Sequence, residues 1–194
     1  MRVLVVDTET TGLPYYDNGI RKYPSIVQWS FVVFDTISEE VIYEYDYIIK
    51  ALDPISPESI SIHGITEDMS HKGSDFTEIY PTFMICVQMC EMIIGHNIDF
   101  DLNVMKEECQ RLQCDFIIPP QIYCTMKSSR DLCCIKRQGY MSYKYPKLVE
   151  LYEFLFYETP SGLHNSMKDV WVCLRCFCKL KYNKNIEYLR DKCL

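Results

Sequence analysis

MRVLVVDTETTGLP, residues 1–14, is the stretch that decides the fold: an apolar run, two acidic residues and a glycine turn. The run from Arg2 to Val6 predicts a buried β-strand that ends at Asp7. Asp7 and Glu9 are two residues apart, so in a strand both side chains point to the same face. Two adjacent carboxylates repel each other unless a cation neutralises them. Mg²⁺ prefers carboxylate oxygens, so the pair predicts a metal site, although a solvated strand end before a turn would have the same sequence.

The rest of the chain predicts early strands followed by helices that alternate with short strands. The further predicted strands cover residues 26–35, 41–49, 92–97 and 121–125. The predicted helices cover residues 75–92, 100–112, 146–157 and 164–180, with a capped turn at 56–60 and a short helix near the end. This order predicts an α/β fold with a mixed central sheet flanked by helices. A chain of 194 residues suits one core, so residues 1–194 are predicted to form a single domain.

Charge and hydropathy narrow the classes of function. The net charge is −7, but residues 1–126 hold 7 basic and 20 acidic side chains, whereas residues 127–147 hold six basic and one acidic. That distribution excludes a broad basic face for duplex binding and leaves a local one. No apolar stretch reaches 18 residues, so no membrane span is predicted. The N-terminus has no apolar signal region, which predicts an intracellular protein, cytoplasmic with the nucleus left open.

Eleven cysteines are an odd number, and in a reducing compartment free thiols are the expectation. Cys173, Cys176 and Cys178 cluster within VWVCLRCFCKL, a segment typical of a helix core. We therefore predict structural thiols. A metal or redox role for this cluster stays the alternative, because a single CxxC is weak evidence for zinc.

Two further segments contain acidic residues. GHNIDFD, residues 95–101, places Asp101 near a helix start, where the dipole favours a carboxylate. In HNSMKD, residues 164–169, His164 precedes Asp169 by five positions. If both residues belong to one helix, their side chains lie on neighbouring faces about a turn and a half apart. Either segment alone would be unremarkable.

Together the three segments resemble the motifs of the DEDDh exonucleases. That DnaQ-like family includes proofreading subunits of bacterial DNA polymerases and small standalone 3′–5′ exonucleases. DTETTGLP is similar to its first motif, HNIDFD to the second and HNSMKD to the third. PSIVQWSFVVFD resembles the family's second strand, and SISIHGITEDM its helix followed by HGIT. The resemblance covers nearly the whole chain and implies a ribonuclease-H-like fold.

The resemblance also implies a site with two ions, Mg²⁺ or Mn²⁺, and four carboxylate ligands. By position, Asp7 bridges both ions. Glu9 and Asp169 help to hold the ion that binds the attacking water, and Asp101 helps to hold the ion near the leaving group. The family's aspartate follows the phenylalanine, so Asp99 is not the matched residue and is expected to be solvated or to cap a helix.

His164 matches the family's general base, which takes a proton from the attacking water. An imidazole titrates near neutrality, which suits that task. A lone histidine beside an apolar helix would more often be structural, and here the motif context favours catalysis. A related branch of the superfamily uses tyrosine, and no tyrosine precedes Asp169 at the corresponding spacing.

Five positions match family residues around the terminal nucleotide, where an aromatic or imidazole ring would stack on a base. They are Thr10, Leu13, His63, Asn97 and Phe100. Core packing for Leu13 and Phe100, and a turn hydrogen bond for His63, are the structural alternatives. The basic segment 127–147 either guides the strand or forms a solvated loop. Where many relatives have Asp-Thr, this chain has Cys124-Thr125, which affects local packing and not the catalytic set.

The resemblance thus implies a 3′–5′ exonuclease that releases nucleoside 5′-monophosphates from single-stranded or frayed 3′ ends, with DNA the favoured substrate. An RNA-directed exoribonuclease is the first alternative, because the catalytic set does not read the 2′ position. An inactive binding scaffold is the second, disfavoured because all four carboxylates are present. A polymerase or another replication or repair protein as partner is also left open.

Overall fold

The computed structural model describes residues 1–136, 139 and 141–194. The strands are β1 (Arg2–Thr10), β2 (Tyr15–Asp17), β3 (Ile20–Lys22), β4 (Ile26–Asp35), β5 (Glu40–Ile48), β6 (Met92–Gly95) and β7 (Gln121–Cys124). The helices are α1 (Pro57–His63), α2 (Glu67–His71), α3 (Phe76–Met89), α4 (Ile98–Arg111), α5 (Thr125–Cys133), α6 (Leu148–Phe156), α7 (Ser166–Tyr182) and α8 (Glu187–Cys193).

Five strands form one mixed sheet in the order β5-β4-β1-β6-β7. The first three are antiparallel neighbours, and β1, β6 and β7 run parallel. The parallel strands are reached through helices, as crossover connections require. Strand β1 is therefore central and has a neighbour on both sides. The predicted mixed sheet flanked by helices is confirmed.

Alternation along β1 divides the core into two layers. Val3 and Val5 face a layer built mainly from α6, α7 and α8. Leu4 and Val6 face the other layer, built mainly from α3 and α4. Both layers are apolar and buried, so β1 is fixed in register from both sides. Its C-terminal residues continue the same alternation, and this directs Asp7 and Glu9 toward the α7 side.

The structure corrects four local expectations. Strand β1 continues past Asp7 to Thr10 because it stays paired with β4 up to Thr10 and Ile26. The β2–β3 hairpin, with Asn18 and Gly19 at positive φ in its turn, was not predicted, although Asn-Gly is a strong hairpin signal. Helices α2 and α5 were not predicted either. Helix α7 begins at Ser166 and not at His164.

The three clustered cysteines lie in the buried layer between α7 and the sheet. All three are free thiols. Burial raises the pKa of Cys178 to about 12, and it raises the pKa values of Cys173 and Cys176 well above their ordinary range. Such thiols are packing groups, since metal binding and nucleophilic attack need the thiolate. In the part of the chain that the structure describes, no helix has the length and apolarity to cross a membrane.

Candidate active site

Two elements bring three carboxylates together at the C-terminal end of β1. Asp7 and Glu9 project from β1 toward α7, and Asp169 projects from the first turn of α7. One oxygen from each side chain lies within 4.8 Å of the other two. Among the residues that the structure describes, no other group of three acidic, histidine or cysteine side chains meets this criterion. The first and third motifs, 160 positions apart in sequence, therefore converge.

Asp101 approaches the same strand end from the α4 side. Its carboxylate is buried, and Oδ1 accepts two hydrogen bonds from Thr8: one from the backbone N–H at 3.0 Å and one from the hydroxyl at 2.9 Å. Thr8 lies between Asp7 and Glu9 and points to the opposite face of the sheet. One residue of β1 thus fixes the fourth carboxylate while its neighbours supply two others. Thr8 was not predicted as a site residue, although it lies between the two acidic residues of the first motif.

The expectation that His164 and Asp169 lie on neighbouring faces of one helix was wrong. His164 has a φ of +67°, outside helical geometry, and its N–H donates to Asp169 Oδ2 at 3.2 Å. Asn165 then caps α7 by accepting from the Lys168 N–H at 3.2 Å. The exposed His164 side chain and Asp169 border the same pocket, so the turn before α7 still places the imidazole beside the carboxylates.

Two polar residues inside the apolar strand β4 anchor the start of α7. The Gln28 side-chain oxygen accepts from the Ser166 N–H at 3.2 Å, and the Ser30 and Ser166 hydroxyls are hydrogen bonded. Asp46 on β5 accepts from both Gln28 and Ser30, at 2.8 and 2.7 Å. These contacts position the turn that contains His164. Sequence reasoning missed them; polar side chains at alternate positions of a buried strand were the available signal.

Burial raises the pKa values of all four carboxyls, and repulsion from acidic neighbours adds to the shift of Asp7, Glu9 and Asp101. The pKa of Glu9 is about 8, raised first by burial and then by Asp169 and Asp101. Burial raises the pKa values of Asp101 and Asp169 to about 7. Asp7, at the centre, has a pKa well above its ordinary range because of burial and its three acidic neighbours. Four carboxylates in one partly buried site resist simultaneous ionisation.

A divalent cation fits this donor set. The Asp169 Oδ1 atom is buried and has no hydrogen-bond partner among the described residues. The other donors are also carboxylate oxygens, which hard cations such as Mg²⁺ and Mn²⁺ prefer. A bound cation would stabilise the ionised carboxylates in place of protons. The residues present therefore suit the divalent ions that the motifs imply.

The raised pKa values make the metal-free fold less stable as the pH rises from about 5 to about 8. Carboxyls in an unfolded chain ionise near pH 4, so at intermediate pH the folded protein binds protons that the unfolded chain releases. The contribution of these carboxyls to the free energy of unfolding is therefore greatest below their unfolded pKa values and is lost as the pH rises through about 7 to 8. We expect the melting temperature of the metal-free protein to fall between about pH 5 and about pH 8.

Mg²⁺ or Mn²⁺ should restore that stability mainly at the higher pH. At 100 times the dissociation constant, binding adds about 2.7 kcal/mol, which corresponds to roughly 5–10 °C for a chain of this size. Thermal unfolding with and without the ion, at both pH values, measures the effect. Asp7→Asn should lose most of the ion-induced shift, whereas Asp99→Asn should keep it. An equal shift in Asp7→Asn and the wild type would contradict this assignment.

Three of the five predicted nucleotide-contact residues, Leu13, Asn97 and Phe100, line two surface depressions. Leu13 is 83% exposed and lines a depression of about 250 Å³ between the end of β1 and residues 53–54. Thr10 is buried, and its carbonyl accepts from His63 Nε2 at 3.3 Å. His63 Nδ1 accepts from the Ile65 N–H at 3.0 Å, and burial lowers the His63 pKa. The ring is therefore a neutral imidazole with its proton on Nε2. Thr10 and His63 thus contact each other, and neither lines the depression at Leu13.

The other two predicted contact residues lie at the start of α4. Asn97 is exposed and adopts a left-handed conformation, with a φ of +67°, immediately before the helix. Phe100 packs edge-on against Tyr23, with ring centroids 6.4 Å apart. Asn97 and Phe100 line a depression of about 320 Å³, which Arg21 of β3 also lines. The structure therefore places these two residues together and apart from the depression at Leu13.

The basic segment 127–147 is partly neutralised by acidic neighbours. Lys127 forms an ion pair with Asp99, which is exposed, as expected for a residue outside the catalytic set. Lys144 pairs with Glu150 at 2.5 Å. Arg137 of this segment lies outside the described residues. A role of this segment in guiding the strand remains a prediction.

A known protein family matches a region of this chain that contains the four carboxylates and the histidine. The exonuclease family model (RNase_T) matches residues 4–177, which span all five predicted catalytic residues. The chain belongs to this exonuclease family. The predicted membership of the DnaQ-like group is confirmed.

Among the relatives, Exodeoxyribonuclease 10 of Escherichia coli K12 is 29% identical over 162 residues, 83% of this chain and 59% of that protein. DNA polymerase III subunit epsilon of Pasteurella multocida is 31% identical over 112 residues, 57% of this chain and 43% of that protein. This chain therefore spans about half the length of these relatives.

Solved structures show the same fold. Exonuclease X in complex with 5′ overhanging duplex DNA is 25% identical, with a TM-score of 0.59, and the match covers 98% of each chain. The nuclease domain of 3′hExo, a DEDDh family member bound to rAMP, is 15% identical with a TM-score of 0.70. That match covers 95% of this chain and 93% of the other, and at this identity it shows the fold alone. The predicted ribonuclease-H-like fold is confirmed.

Proposed function

We propose that residues 1–194 form one exonuclease domain that hydrolyses the terminal phosphodiester bond at the 3′ end of DNA. The products are nucleoside 5′-monophosphates, and the reaction requires two Mg²⁺ or Mn²⁺ ions. The observation on which this proposal rests is the convergence of Asp7, Glu9 and Asp169 within 4.8 Å, with Asp101 hydrogen bonded to the residue between the first two. Four carboxylates with raised pKa values would be costly to retain without a function.

The carboxylates would hold the ions, and the charge of the ions would offset the repulsion between this acidic site and the scissile phosphate. Asp7 is central, because its carboxyl is affected by Glu9, Asp101 and Asp169. When bound, divalent ions there would lower the pKa of a coordinated water and neutralise charge on the phosphate. Thr8 fixes the orientation of Asp101 through two hydrogen bonds, so this carboxylate is preorganised. The chain therefore supplies a rigid acidic cradle.

His164 is proposed to accept the proton from the attacking water. Its backbone N–H is tied to Asp169, and Gln28 and Ser30 anchor the following residues to β4. The exposed ring can therefore reach solvent while its Cα stays beside the carboxylates. An imidazole placed in this way removes a proton near neutral pH, which a carboxylate that binds a cation does poorly.

The terminal nucleotide is proposed to lie across the two depressions at Leu13 and Phe100. Leu13 offers an exposed apolar side chain that can pack on a base, and Phe100 offers an aromatic ring in the second depression. Asn97 offers an amide for a sugar or phosphate oxygen. Thr10 and His63, which are joined by a hydrogen bond, are proposed to contribute to the same binding surface. These contacts do not depend on base identity, which suits a sequence-tolerant enzyme.

DNA is favoured over RNA by the relatives. The name Exodeoxyribonuclease 10 and the complex of Exonuclease X with 5′ overhanging duplex DNA both denote DNA, at 29% and 25% identity. One relative is a DNA polymerase subunit, so the proposal includes a replication or repair protein as partner. This chain spans about half the length of these relatives, so their names do not assign its substrate. The choice of DNA is a proposal that the digestion of matched substrates tests.

Digestion of matched substrates tests the proposal. We expect single-stranded DNA to be degraded to mononucleotides in Mg²⁺ or Mn²⁺ and to stay intact in excess chelator, because the acidic cradle cannot orient a phosphate without a cation. RNA of the same sequence should be degraded more slowly. Full activity in chelator would refute the metal requirement, and faster digestion of RNA would reassign the substrate.

A further inference from the structure

The segment Tyr23–Ser25 contributes to both depressions that the terminal nucleotide is proposed to occupy. Tyr23 lines the depression of about 320 Å³, and Pro24 lines the one of about 250 Å³. The segment lies between β3 and β4 and belongs to neither strand, so its position depends on contacts outside the strand ladders. Two hydrogen bonds join Ser25 to Thr11, immediately after β1. The rest of the segment is held from the side of α4.

Arg111, in the last turn of α4, makes these contacts. Its Nη2 donates to the Tyr23 carbonyl oxygen at 2.7 Å. Its Nη1 donates to the Ser25 hydroxyl at 2.7 Å and to Asp53 Oδ2 at 2.9 Å. Ser25 Oγ also donates to Asp53 Oδ2, at 2.7 Å. Asp53 lines the depression at Leu13, so one guanidinium contacts a lining residue of each depression.

Glu108 provides a second negative charge for Arg111, from within α4. Its carboxylate is fully buried and lies 3.5 Å from Arg111 Nη1. Neither Glu108 oxygen has a hydrogen-bond partner among the described residues, and burial raises the pKa of this carboxyl to about 7 although Arg111 opposes the shift. A buried carboxylate is costly unless a cation is close to it. The Arg111 side chain, 22% exposed, is therefore confined between Glu108 and the two loops that it joins.

The other end of α4 carries residues of the proposed site. Asn97 precedes this helix, and Phe100 and Asp101 lie in its first turn. Arg111 follows Asp101 by ten residues, roughly 15 Å along the helix axis, so it lies far from the proposed metal ligands. The helix contacts Tyr23 at two points, at the ring through Phe100 and at the carbonyl through Arg111. Any effect of Arg111 on the reaction is therefore indirect.

We propose that Arg111 is a positioning residue for the terminal nucleotide. The inference rests on the proposed function, in which that nucleotide lies across both depressions. Arg111 holds the Tyr23–Ser25 segment and Asp53 against α4, so the two depressions keep a fixed separation and act on one nucleotide. A lysine keeps the charge but is a point donor on a flexible stem, and it cannot reproduce the planar set of hydrogen bonds to both loops.

An intact DNA strand and the same strand without its 3′-terminal base test this role. Removal of the base should lower kcat/KM of the wild type by roughly 5- to 150-fold, the range for loss of one base stack. Arg111→Lys should lower kcat/KM on the intact strand toward the same value, because the base is no longer held in place. On the strand without the base its effect should stay below about 2-fold. A purely structural Arg111 predicts equal losses on both strands and would overturn the proposal.

Lys22→Ala is the matched control. Lys22 also forms an ion pair between β3 and α4, with Glu107 at 3.3 Å, but it lines neither depression. This variant should keep the wild-type sensitivity to the terminal base, and loss of that sensitivity would overturn the proposal. If thermal unfolding showed that Arg111→Lys does not fold, Arg111→Met combined with Glu108→Gln, which leaves neither buried charge without its partner, replaces it with the same expectation.

Failure of the positioning role and failure of the proposed function give different results. Equal kcat/KM of the wild type on both strands would overturn the positioning role, while the release of mononucleotides would leave the proposed function intact. If the wild type released no nucleotide, the proposed function would fail, and binding of the two strands, followed by fluorescence anisotropy, then decides the role of Arg111. The wild type should bind the intact strand about 5-fold or more tightly, with this difference lost in Arg111→Lys. A difference that persists in the variant, or equal wild-type affinities, would overturn the proposal.

Discussion

Asp7→Asn is expected to lower the rate of nucleotide release by about 10³–10⁴-fold while the protein stays folded. Asp7 is the central carboxyl of the cluster, and its loss removes the ligand that both ions are proposed to share. The several kcal/mol that metal ions contribute to phosphate chemistry correspond to this factor, at about 1.4 kcal/mol per tenfold. Single-turnover release from a 5′-labelled single strand in saturating Mg²⁺ measures it.

Folding is expected to survive the change because asparagine keeps the size of the side chain and removes one buried carboxyl. The metal-free variant should be more stable than the wild type at about pH 8, where repulsion is largest. Asp35→Asn is the control: Asp35 pairs with Arg2 at the start of β1, the opposite end of that strand from the carboxylates. It should keep near-normal turnover. Wild-type rates in Asp7→Asn would show that Asp7 is not the shared ligand.

His164→Ala is expected to slow the chemical step by roughly 10²–10⁴-fold, the usual contribution of a general base. The four carboxylates remain, so the ion-induced rise in melting temperature should persist. Measuring single-turnover rate and thermal stability on the same variant separates catalysis from packing. A purely structural His164 predicts the reverse, a lower melting temperature with near-normal turnover.

The pH dependence of the rate gives a second check on His164. Wild-type turnover should fall on the acid side, because a protonated imidazole cannot accept a proton. In saturating Mg²⁺, where the carboxylates are metal-bound and protonate only at lower pH, this limb should disappear or move in His164→Ala. His71→Ala, which removes an exposed histidine of α2, should leave both rate and profile unchanged. An unchanged acid limb in His164→Ala would leave this residue without a catalytic role.

Much of the site could be predicted because its residues lie in short local patterns. Alternation along β1 placed Asp7 and Glu9 on one face, and the structure shows that this face meets α7. The order of strands and helices predicted the mixed sheet. The roles of the carboxylates as metal ligands came from the family resemblance and remain proposals. The spacing of the acidic residues in any one motif would also suit side chains that only face solvent.

The remaining features depend on contacts between distant segments. The length of β1 is set by its pairing with β4, which the apolar run alone does not encode. His164 has a positive φ in the turn before α7, and the start of that helix is held by Gln28, 136 positions before His164. The pocket beside His164 is lined by segments that are far apart in sequence, and His96 contacts two of them at Thr125 and Pro146. Helical periodicity encodes none of these contacts, and it extended α7 two residues too far.

End-blocked oligonucleotides test the central claim, exonuclease action from the 3′ end, most directly. One single-stranded DNA oligonucleotide is prepared with a free end, with a blocked 3′ terminus and with a blocked 5′ terminus, and the first products in Mg²⁺ are identified. We predict nucleoside 5′-monophosphates from the free and 5′-blocked strands and no release from the 3′-blocked strand. Release from the 3′-blocked strand, or cleavage of a closed circular single strand, would contradict the account.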